Sequence, residues 1–367
     1  MPNPRALIFA ACTALAALLF AGGAAAHQQG QSYCNVTTVV GGIDVTVETS
    51  FEHLVPVLGL GSLKPQDSEI LAARDRLAQQ LEDHVQARTP AGPCQVASDA
   101  PILDTREGVR VAEVTLHYQC PPGPVTLRNT WRFDVDPSSE TVCAIDGAAW
   151  VFRVGIEEAD LGAPPTLGQV MGSFVGSGML HVFGGIDHVL FIVALLVAAA
   201  SARQESLAAG LKATAAVVTG FTLGHSVTLI GAGLDLVRLP PRLTESVIAL
   251  SIVVVGVENI ARKEIRWRML TATLFGLVHG FGFATVLAET ELPRRGAVWA
   301  LLAFNLGIEA AQLTIVALLF PPLALAARRS WFRGGMLIPV SATVAVLASL
   351  WFVKRAAHVE FLPWLGS

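Results

Sequence analysis

The sequence has little charge: Asp, Glu, Lys and Arg make up 15% of its 367 residues, whereas an average soluble domain has about 25%. Hydrophobic residues make up 53%, and the mean hydropathy is +0.55. A single soluble domain of ordinary composition is therefore excluded. Lys and Arg form no block interleaved with aromatic residues, which argues against nucleic-acid binding. The composition predicts a membrane protein whose partners are the lipid bilayer, small ions or other proteins.

Several catalytic motifs are also missing from the sequence. It has no Gly-x-x-x-x-Gly-Lys-Ser/Thr loop, so this chain alone does not bind a nucleotide to drive transport. It has neither a His-Glu-x-x-His helix nor a Gly-x-Ser-x-Gly turn, which argues against the common hydrolase sites. No cysteine follows Cys143, so a copper(I) site built on thiolates is excluded from the second half.

The charge that is present divides the chain in two. Residues 27–165 carry 9 Lys and Arg against 19 Asp and Glu, whereas residues 166–367 carry 15 against 10. The first segment therefore predicts an acidic soluble domain, and the second predicts a membrane domain.

The N-terminus has the order of a secretory signal peptide. Arg5 precedes an apolar run, and small residues end at Ala26, so residues 1–26 are predicted to be a signal peptide. An uncleaved membrane anchor is the alternative, but the apolar run is short for a span. After cleavage the chain begins at His27, whose imidazole and α-amino nitrogens can hold copper or nickel, although most chain termini are frayed and have no function.

The exported segment is predicted to be a small β-rich sandwich with one amphipathic helix. Strands are predicted at 35–49, 109–118, 125–135 and 148–154, with turns at 121–124 and 136–139. The helix begins at Asp67 and ends before Pro90; its apolar positions are Ile70, Leu71, Leu77, Leu81 and Val85. A linker is predicted at 155–168, around Pro164 and Pro165.

Four cysteines remain once the signal peptide is removed, and all of them lie in the exported segment: Cys34, Cys94, Cys120 and Cys143. An even number in an oxidising compartment predicts two disulfides. Three pairings are open; Cys120 with Cys143 would brace a hairpin and leave Cys34 with Cys94. No Cys-x-x-Cys pair is present to support a zinc site instead.

The second half predicts a helical bundle of about six transmembrane helices. Six stretches are apolar and long enough to span about 30 Å of hydrocarbon. They lie near 172–199, 209–233, 244–261, 269–288, 297–320 and 335–353. An exported first domain places the loops near 200–208, 262–268 and 326–334 in the cytoplasm. Those loops hold eight Lys and Arg against six in the outside loops and tail, which agrees with this orientation and places the C-terminus outside.

Polar side chains interrupt these apolar stretches. A charge at the bilayer centre costs at least about 2.5 kcal/mol, so each needs a structural or functional explanation. Hydrogen bonds between neighbouring helices are the expected role of Thr222, Ser226, Asn259 and Gln312. Four imidazoles with carboxylates are instead a donor set for a divalent transition metal. The predicted metal-binding residues are His181, Asp187, His188, His225, His279 and Glu309.

His181 and His188 lie on one side of the first predicted span. Seven residues separate them, so a regular helix would place them about 10.5 Å apart along its axis. The Gly184-Gly185 pair between them can kink or unwind the helix, which would shorten that separation. Without the kink, the two histidines would be successive stations along a path.

Motifs at these positions resemble those of the HupE/UreJ family of bacterial membrane proteins. The segment 181–191 has a His followed by Asp187-His188, and the runs 221–226, 250–252, 275–282 and 304–309 look like the family variant with an exported N-terminal domain. The resemblance covers nearly all of 172–313. At His279 this chain departs from shorter members, which have a Phe-His-Gly run leading to His-Gly-x-Glu.

This resemblance implies a nickel permease of the bacterial inner membrane, with zinc or cobalt as other cargo. Ions would pass along the His181, Asp187 and His188 signature, and a periplasmic metal donor or partner protein would dock on the exported domain. The Asp187-His188 pair and the run 223–226 are also similar to motifs of the larger nickel and cobalt permease family. One alternative is an intramembrane metal-dependent hydrolase with Asp187, Glu258 or Glu309 as general base. The other is a membrane-anchored accessory protein for metalloenzyme maturation.

Overall fold

A computed structural model describes residues 31–62, 64–106, 109–145, 148–163, 166–202, 205–234, 236–237, 239–261, 267–282 and 294–357. A β-rich region comes first and a helical region follows, as the sequence predicts. The predicted signal peptide, His27 and the Pro164-Pro165 pair of the predicted linker lie outside the described residues. Five cations of the predicted loops and ends also lie outside them: Arg203, Arg238, Arg262, Lys263 and Arg266.

The strands described in the β-rich region form two sheets. They are β1 Gln31–Val39, β2 Gly42–Ser50, β3 Val85–Thr89, β4 Gly92–Pro93, β5 Gln95–Ser98, β6 Ile102–Arg106, β7 Val109–Gln119, β8 Thr126–Asn129, β9 Glu140–Ile145, β10 Ala148–Phe152 and β11 Glu158–Asp160. The larger sheet has the order β10-β9-β1-β2-β7-β5, with β6 also on β7, and the smaller has the order β11-β8-β3-β4. β1 and β9 pair in parallel, and the other described pairs are antiparallel.

Two predicted strands change in the structure, and other strands were not predicted. The single strand expected at 35–49 is the hairpin β1–β2. Its turn needs Gly41, whose φ of 81° is a backbone conformation that other residues rarely adopt. The strand expected at 125–135 is reduced to β8. Strand β9, whose residues are all buried, was not predicted.

The predicted single helix of this region is wrong in number. The structure has α1 Phe51–Leu58, α2 Asp67–Ala72 and α3 Arg74–His84, and α2 and α3 are separate helices on either side of Ala73. The predicted apolar face is buried at Ile70, Leu77 and Leu81, but Leu71 is exposed. The predicted end before Pro90 is also wrong, because α3 ends at His84 and Val85 begins strand β3. Side chains of all three helices and of both sheets share one apolar core.

Two disulfides are formed, as the cysteine count predicts. They join Cys34 to Cys143 and Cys94 to Cys120. The pairing of Cys120 with Cys143, which would have braced a hairpin, is therefore wrong. The reason is the parallel pairing of β1 with β9, which places Cys34 directly opposite Cys143.

The helical region follows β11. The predicted linker at 155–168 is wrong in part, because it contains strand β11 and the first residues of the first helix of this region. Its helices are α4 Leu167–Gly184, α5 Ile186–Ser201, α6 Leu207–Gly233, α7 Pro241–Ala261, α8 Arg268–His279, α9 Arg294–Ala326 and α10 Ile338–Ala357. A 3-10 turn at Gly280–Gly282 follows α8, and a π-helical turn at Arg333–Leu337 precedes α10.

Within the described residues, four helices are long and apolar enough to cross a membrane: Leu207–Gly233, Arg242–Ala261, Val298–Ala326 and Arg333–Ala357. α4 and α5 meet at a bend of 72° and would make a fifth span if they cross as one. The predicted span at 269–288 begins with α8 and the 3-10 turn, and residues 283–293 lie outside the description. The predicted count of six is therefore not confirmed.

Glycines allow two pairs of helices to approach closely. A Cβ at Gly178 of α4 would collide with the Phe304 carbonyl of α9, and one at Gly307 of α9 would collide with the Val175 carbonyl. The α6–α8 pair has the same reciprocal arrangement through Gly224 and Gly276. Small residues at such crossings let helix backbones pack within van der Waals contact. His181, His225 and His279 each follow one of these glycines by one to three residues, so the crossings bring the histidines toward each other.

Candidate functional site

The bend between α4 and α5 brings two predicted site residues together. The ring centroids of His181 and His188 are 4.6 Å apart, less than half of the separation along a regular helix. Gly185 lies at the bend, where a Cβ would be 2.6 Å from His188 Nδ1 and 2.9 Å from the His181 carbonyl oxygen. The prediction that the Gly184-Gly185 pair interrupts the helix is confirmed.

His279 lies next to this pair, at the end of α8. Its ring centroid is 6.0 Å from that of His188. Its Nδ1 is 2.8 Å from the Phe275 carbonyl oxygen, which can only accept, so Nδ1 carries the proton and donates. The lone pair therefore lies on Nε2, which is buried and has no hydrogen-bond partner within the described part of the chain.

His225 of α6 is held in the same way. Its Nδ1 is 3.0 Å from Asn305 Oδ1, and Asn305 Nδ2 donates to the Leu301 carbonyl. The amide nitrogen is thus occupied, so the amide oxygen accepts from the imidazole. His225 Nε2 is also buried, with no hydrogen-bond partner among the residues that the structure describes.

Asp187 supports His188 through a third contact of this kind. Asp187 Oδ1 is 3.1 Å from His188 Nδ1, and both side chains are buried. An ionised carboxylate only accepts, so it favours the His188 tautomer with the lone pair on Nε2. Asp187 also lies in the first turn of α5, where the helix dipole stabilises negative charge.

Glu309 makes a contact with α6 that involves no imidazole. Its Oε1 accepts from Thr219 of α6, and one turn further along α9 Gln312 Oε1 accepts from Thr222 at 3.0 Å. Asn305, Glu309 and Gln312, spaced four and three residues apart along α9, therefore form one polar stripe that faces α6. Glu309 Oε2 is buried without a hydrogen-bond partner in the described ranges.

The predicted helix-to-helix hydrogen bonds are formed by three of the four residues. Thr222 and Gln312 join α6 to α9, and Asn259 Nδ2 donates to the Ala194 carbonyl of α5 at 2.9 Å. Ser226 is the exception, because its hydroxyl donates to the Thr222 carbonyl within its own helix.

Phenylalanines surround the histidines, and none of them was predicted to belong to the site. The Phe221 ring lies 5.0 Å from His279 and 6.3 Å from His225. Phe191 lies 5.6 Å from His279, and Phe304 lies 5.3 Å from His181. A signal was present, since Phe221 precedes His225 by four residues and Phe275 precedes His279 by four, which places each pair on one helix face.

We call His181, His188, His225 and His279, with Asp187, the histidine cluster. Across the described residues, no three His, Cys, Asp or Glu side chains converge closely enough to hold one metal ion together. The rings of His181, His188 and His279 are adjacent, and Nε2 of His225 and of His279 each has an available lone pair among the described residues. The role of its members and of Glu309 as metal ligands stays a prediction.

The fold and this cluster define a helical membrane protein with a buried, aromatic-lined histidine cluster and an N-terminal β-rich region. The family model described as HupE / UreJ protein matches residues 157–355, more than half of the chain, so the protein belongs to that family. This family is associated with nickel or cobalt transport or with accessory functions. The comparison with curated proteins gives no match.

Proposed function

We propose that the protein is a permease that moves a divalent transition-metal cation, with nickel as the first choice, along the histidine cluster. The observation that carries this proposal is the shared tautomer of His225 and His279. Each has its Nδ1 next to an oxygen acceptor, and its buried Nε2 has no hydrogen-bond partner among the described residues, which leaves Nε2 as the coordinating atom. Asp187 favours the same tautomer in His188. Metal-binding histidines are typically oriented by such a partner on the other ring nitrogen.

The donor chemistry supports this choice of cargo. Neutral imidazole suits nickel, zinc and other borderline metals, and thiolate is absent because no cysteine follows Cys143. Asp187 supplies a negative charge beside the rings in a buried setting. Cobalt and zinc fit the same donors, so selectivity is part of the test.

The distances between the histidine rings favour a metal ion that passes through the protein over one that stays bound in it. Conduction requires sites that bind strongly enough for entry and weakly enough for exit, usually several in series. His181, His188 and His279 are adjacent at 4.6 and 6.0 Å, so an ion can pass between neighbours. Asn305, Glu309 and Gln312 continue the polar row between α6 and α9.

The proposal places the protein in the bacterial inner membrane with the β-rich region and C-terminus outside. The 19 acidic residues of 27–165 against 9 basic ones would raise the local cation concentration. The same surface would receive a periplasmic metal donor or partner protein.

Uptake of radiolabelled nickel into vesicles containing the purified protein tests the proposal. His188→Ala should lower uptake at least about 100-fold, because losing a ligand costs at least as much as losing a supporting partner. The matched control is His84→Ala in the β-rich region, where the ring contacts Thr130, and it should keep full uptake. Cobalt and zinc as competitors would rank the cargo.

Uptake that survives His188→Ala would overturn the permease mechanism. Tightly bound zinc without flux would favour the intramembrane hydrolase. Neither bound metal nor flux would favour the membrane-anchored accessory protein.

A further inference from the structure

The edge of the larger sheet packs directly against the first helix of the helical region. Val142 of β9 and Val151 of β10 are buried in the same apolar core as Phe174 and Val182 of α4. Phe304 of α9 belongs to that core as well. The β-rich region is therefore docked on the helices, which the sequence prediction of a separate exported domain did not include.

A buried carboxylate lies within this contact. Glu140 begins β9, and its side chain is 3% exposed. Its Oε1 accepts a hydrogen bond of 2.9 Å from the hydroxyl of Ser177 on α4, which is also buried. Arg153 Nη1 lies 3.8 Å from the same oxygen. Burying a carboxylate is costly unless it is paired, so the hydrogen bond from Ser177 and the charge of Arg153 offset the desolvation cost of Glu140.

This contact holds α4 immediately before the histidine cluster. Ser177 precedes His181 by four residues, one turn on the same helix face. The neighbours of Ser177 are also fixed, because Cβ atoms at Gly176 and Gly178 would collide with the Arg153 guanidinium and the Phe304 carbonyl. At this turn, the rotation of α4 about its axis and its position along that axis therefore depend partly on contacts with the β-rich region.

We propose that Glu140 is a positioning residue: through its hydrogen bond from Ser177 it holds the end of α4 so that the His181 ring lies against the His188 ring. A site of this kind functions only when its groups are held within about 0.5 Å of the working geometry. The consequence for transport rests on the proposed function, but the consequence for ring contact does not.

Variants of the full-length protein separate positioning from general damage. Ser177→Ala and Glu140→Ala remove the hydrogen bond. Glu140→Gln keeps an oxygen that can accept from Ser177 and should restore wild-type behaviour. Ser349→Ala is the matched control, because the Ser349 hydroxyl on α10 donates to the Ala345 carbonyl of its own helix.

The first readout is the nuclear Overhauser effect between the His181 and His188 ring protons in histidine-labelled protein. It should be strong in the wild type, lose most of its intensity in Ser177→Ala and Glu140→Ala, and persist in Glu140→Gln and Ser349→Ala. The second readout is the nickel concentration at half-maximal uptake. It should rise about 10-fold in the first two variants, the cost of losing a supporting contact, with maximal uptake retained.

An unchanged ring contact in both Ser177→Ala and Glu140→Ala would overturn the positioning role, whatever the uptake. Loss of contact in Glu140→Gln as severe as in Glu140→Ala would also overturn it, because the acceptor is still present. If the ring contact responds as expected but the wild type shows no nickel flux, the positioning role stands and the proposed function fails.

Discussion

The β-rich region places most of its charged side chains at its surface, whereas the helical region places polar side chains in its interior. In the β-rich region most of the described ion pairs have an exposed partner, such as Arg88 with Glu158 at 3.0 Å, and the core is mainly apolar, although Glu48, Arg132 and Glu140 are buried. In the helical region Asp187, His188 and His225 are buried, whereas large apolar side chains such as Leu223 face outward at 61% exposure.

This difference follows from the solvent that each region meets. Water solvates surface charge, so the β-rich region gains by burying valine and leucine. Hydrocarbon does not, so polar side chains of membrane helices turn inward and find partners there. The inverted arrangement makes the interior of the helical region the chemically active place, whereas the β-rich region contributes its surface charge and its contact with α4.

The largest effect is expected from removing the disulfide Cys34–Cys143 of the β-rich region. Replacing Cys34 and Cys143 by serine should lower its unfolding free energy by about 2–5 kcal/mol, because the disulfide closes a long loop. That loop spans 109 residues, against 26 for Cys94–Cys120. Replacing the second pair should therefore cost about 1 kcal/mol less.

Urea unfolding followed by hydrogen exchange of β1 and β9 measures this difference between the two disulfides. Equal losses for the two pairs would contradict the loop argument.

In the helical region, stability should depend on the glycines at the helix crossings. Gly276→Ala forces a methyl group into the Phe221 carbonyl of α6, which should destabilise the bundle by about 1–3 kcal/mol. Gly231→Ala on α6 is the control, since a Cβ there meets nothing within 4 Å, and it should stabilise the helix by about 0.5–1 kcal/mol.

Thermal unfolding in detergent compares the two glycine variants. Destabilisation of similar size in both variants would contradict the crossing argument, because a Cβ at Gly231 meets no neighbouring helix.

A third prediction compares two buried asparagines of the helical region, one that contacts a histidine and one that joins two helices. Asn305→Leu removes the acceptor for His225 and should weaken nickel affinity about 10- to 100-fold. Asn259→Leu removes a hydrogen bond that joins helices elsewhere and should lower stability while affinity is retained. Equilibrium binding of nickel to both variants checks this, and equal losses of affinity would remove the distinction between supporting and structural amides.

The smallest effect concerns the surface of the β-rich region. His117 lies between Asp44 at 2.8 Å and Asp99 at 3.1 Å, and the hydrogen bonds with Asp44 and then Asp99 raise the pKa of His117 above 6.5. A raised pKa in the folded state means that protonated His117 stabilises fully below about pH 6.5, and this stabilisation is lost as pH rises through the folded-state pKa. His117→Gln should flatten that decrease in a pH series of urea unfolding, and a profile identical to the wild type would contradict it.

Parts of the fold could be predicted because local chemistry decides them. Apolar length predicts membrane helices, an even cysteine count predicts disulfides, and Gly184-Gly185 predicts the helix break. The hairpin turn at Gly41 was missed although the Gly41-Gly42 pair is a turn signal, because the alternation in 35–49 was followed through it. α1 was missed since it is short and contains Pro56.

The same distinction between local and long-range information applies to the candidate site. The histidines could be selected from the sequence because imidazoles in apolar stretches are costly to insert and need an explanation. Their partners could not be selected, since Asn305 lies 80 residues from His225 and the Phe275 carbonyl is present in every backbone. Whether these residues bind metal stays a prediction.

The sequence by itself determined the two-part organisation, the membrane character of the second part and the residue types available for chemistry, because composition and periodicity follow directly from the chain. Only the tertiary structure decided which cysteines pair, which ring nitrogens of His225 and His279 have no hydrogen-bond partner in the described part of the chain, and that Glu140 contacts Ser177. These contacts join residues far apart in the sequence, and their geometry depends on strand register and helix crossing, which no local pattern specifies.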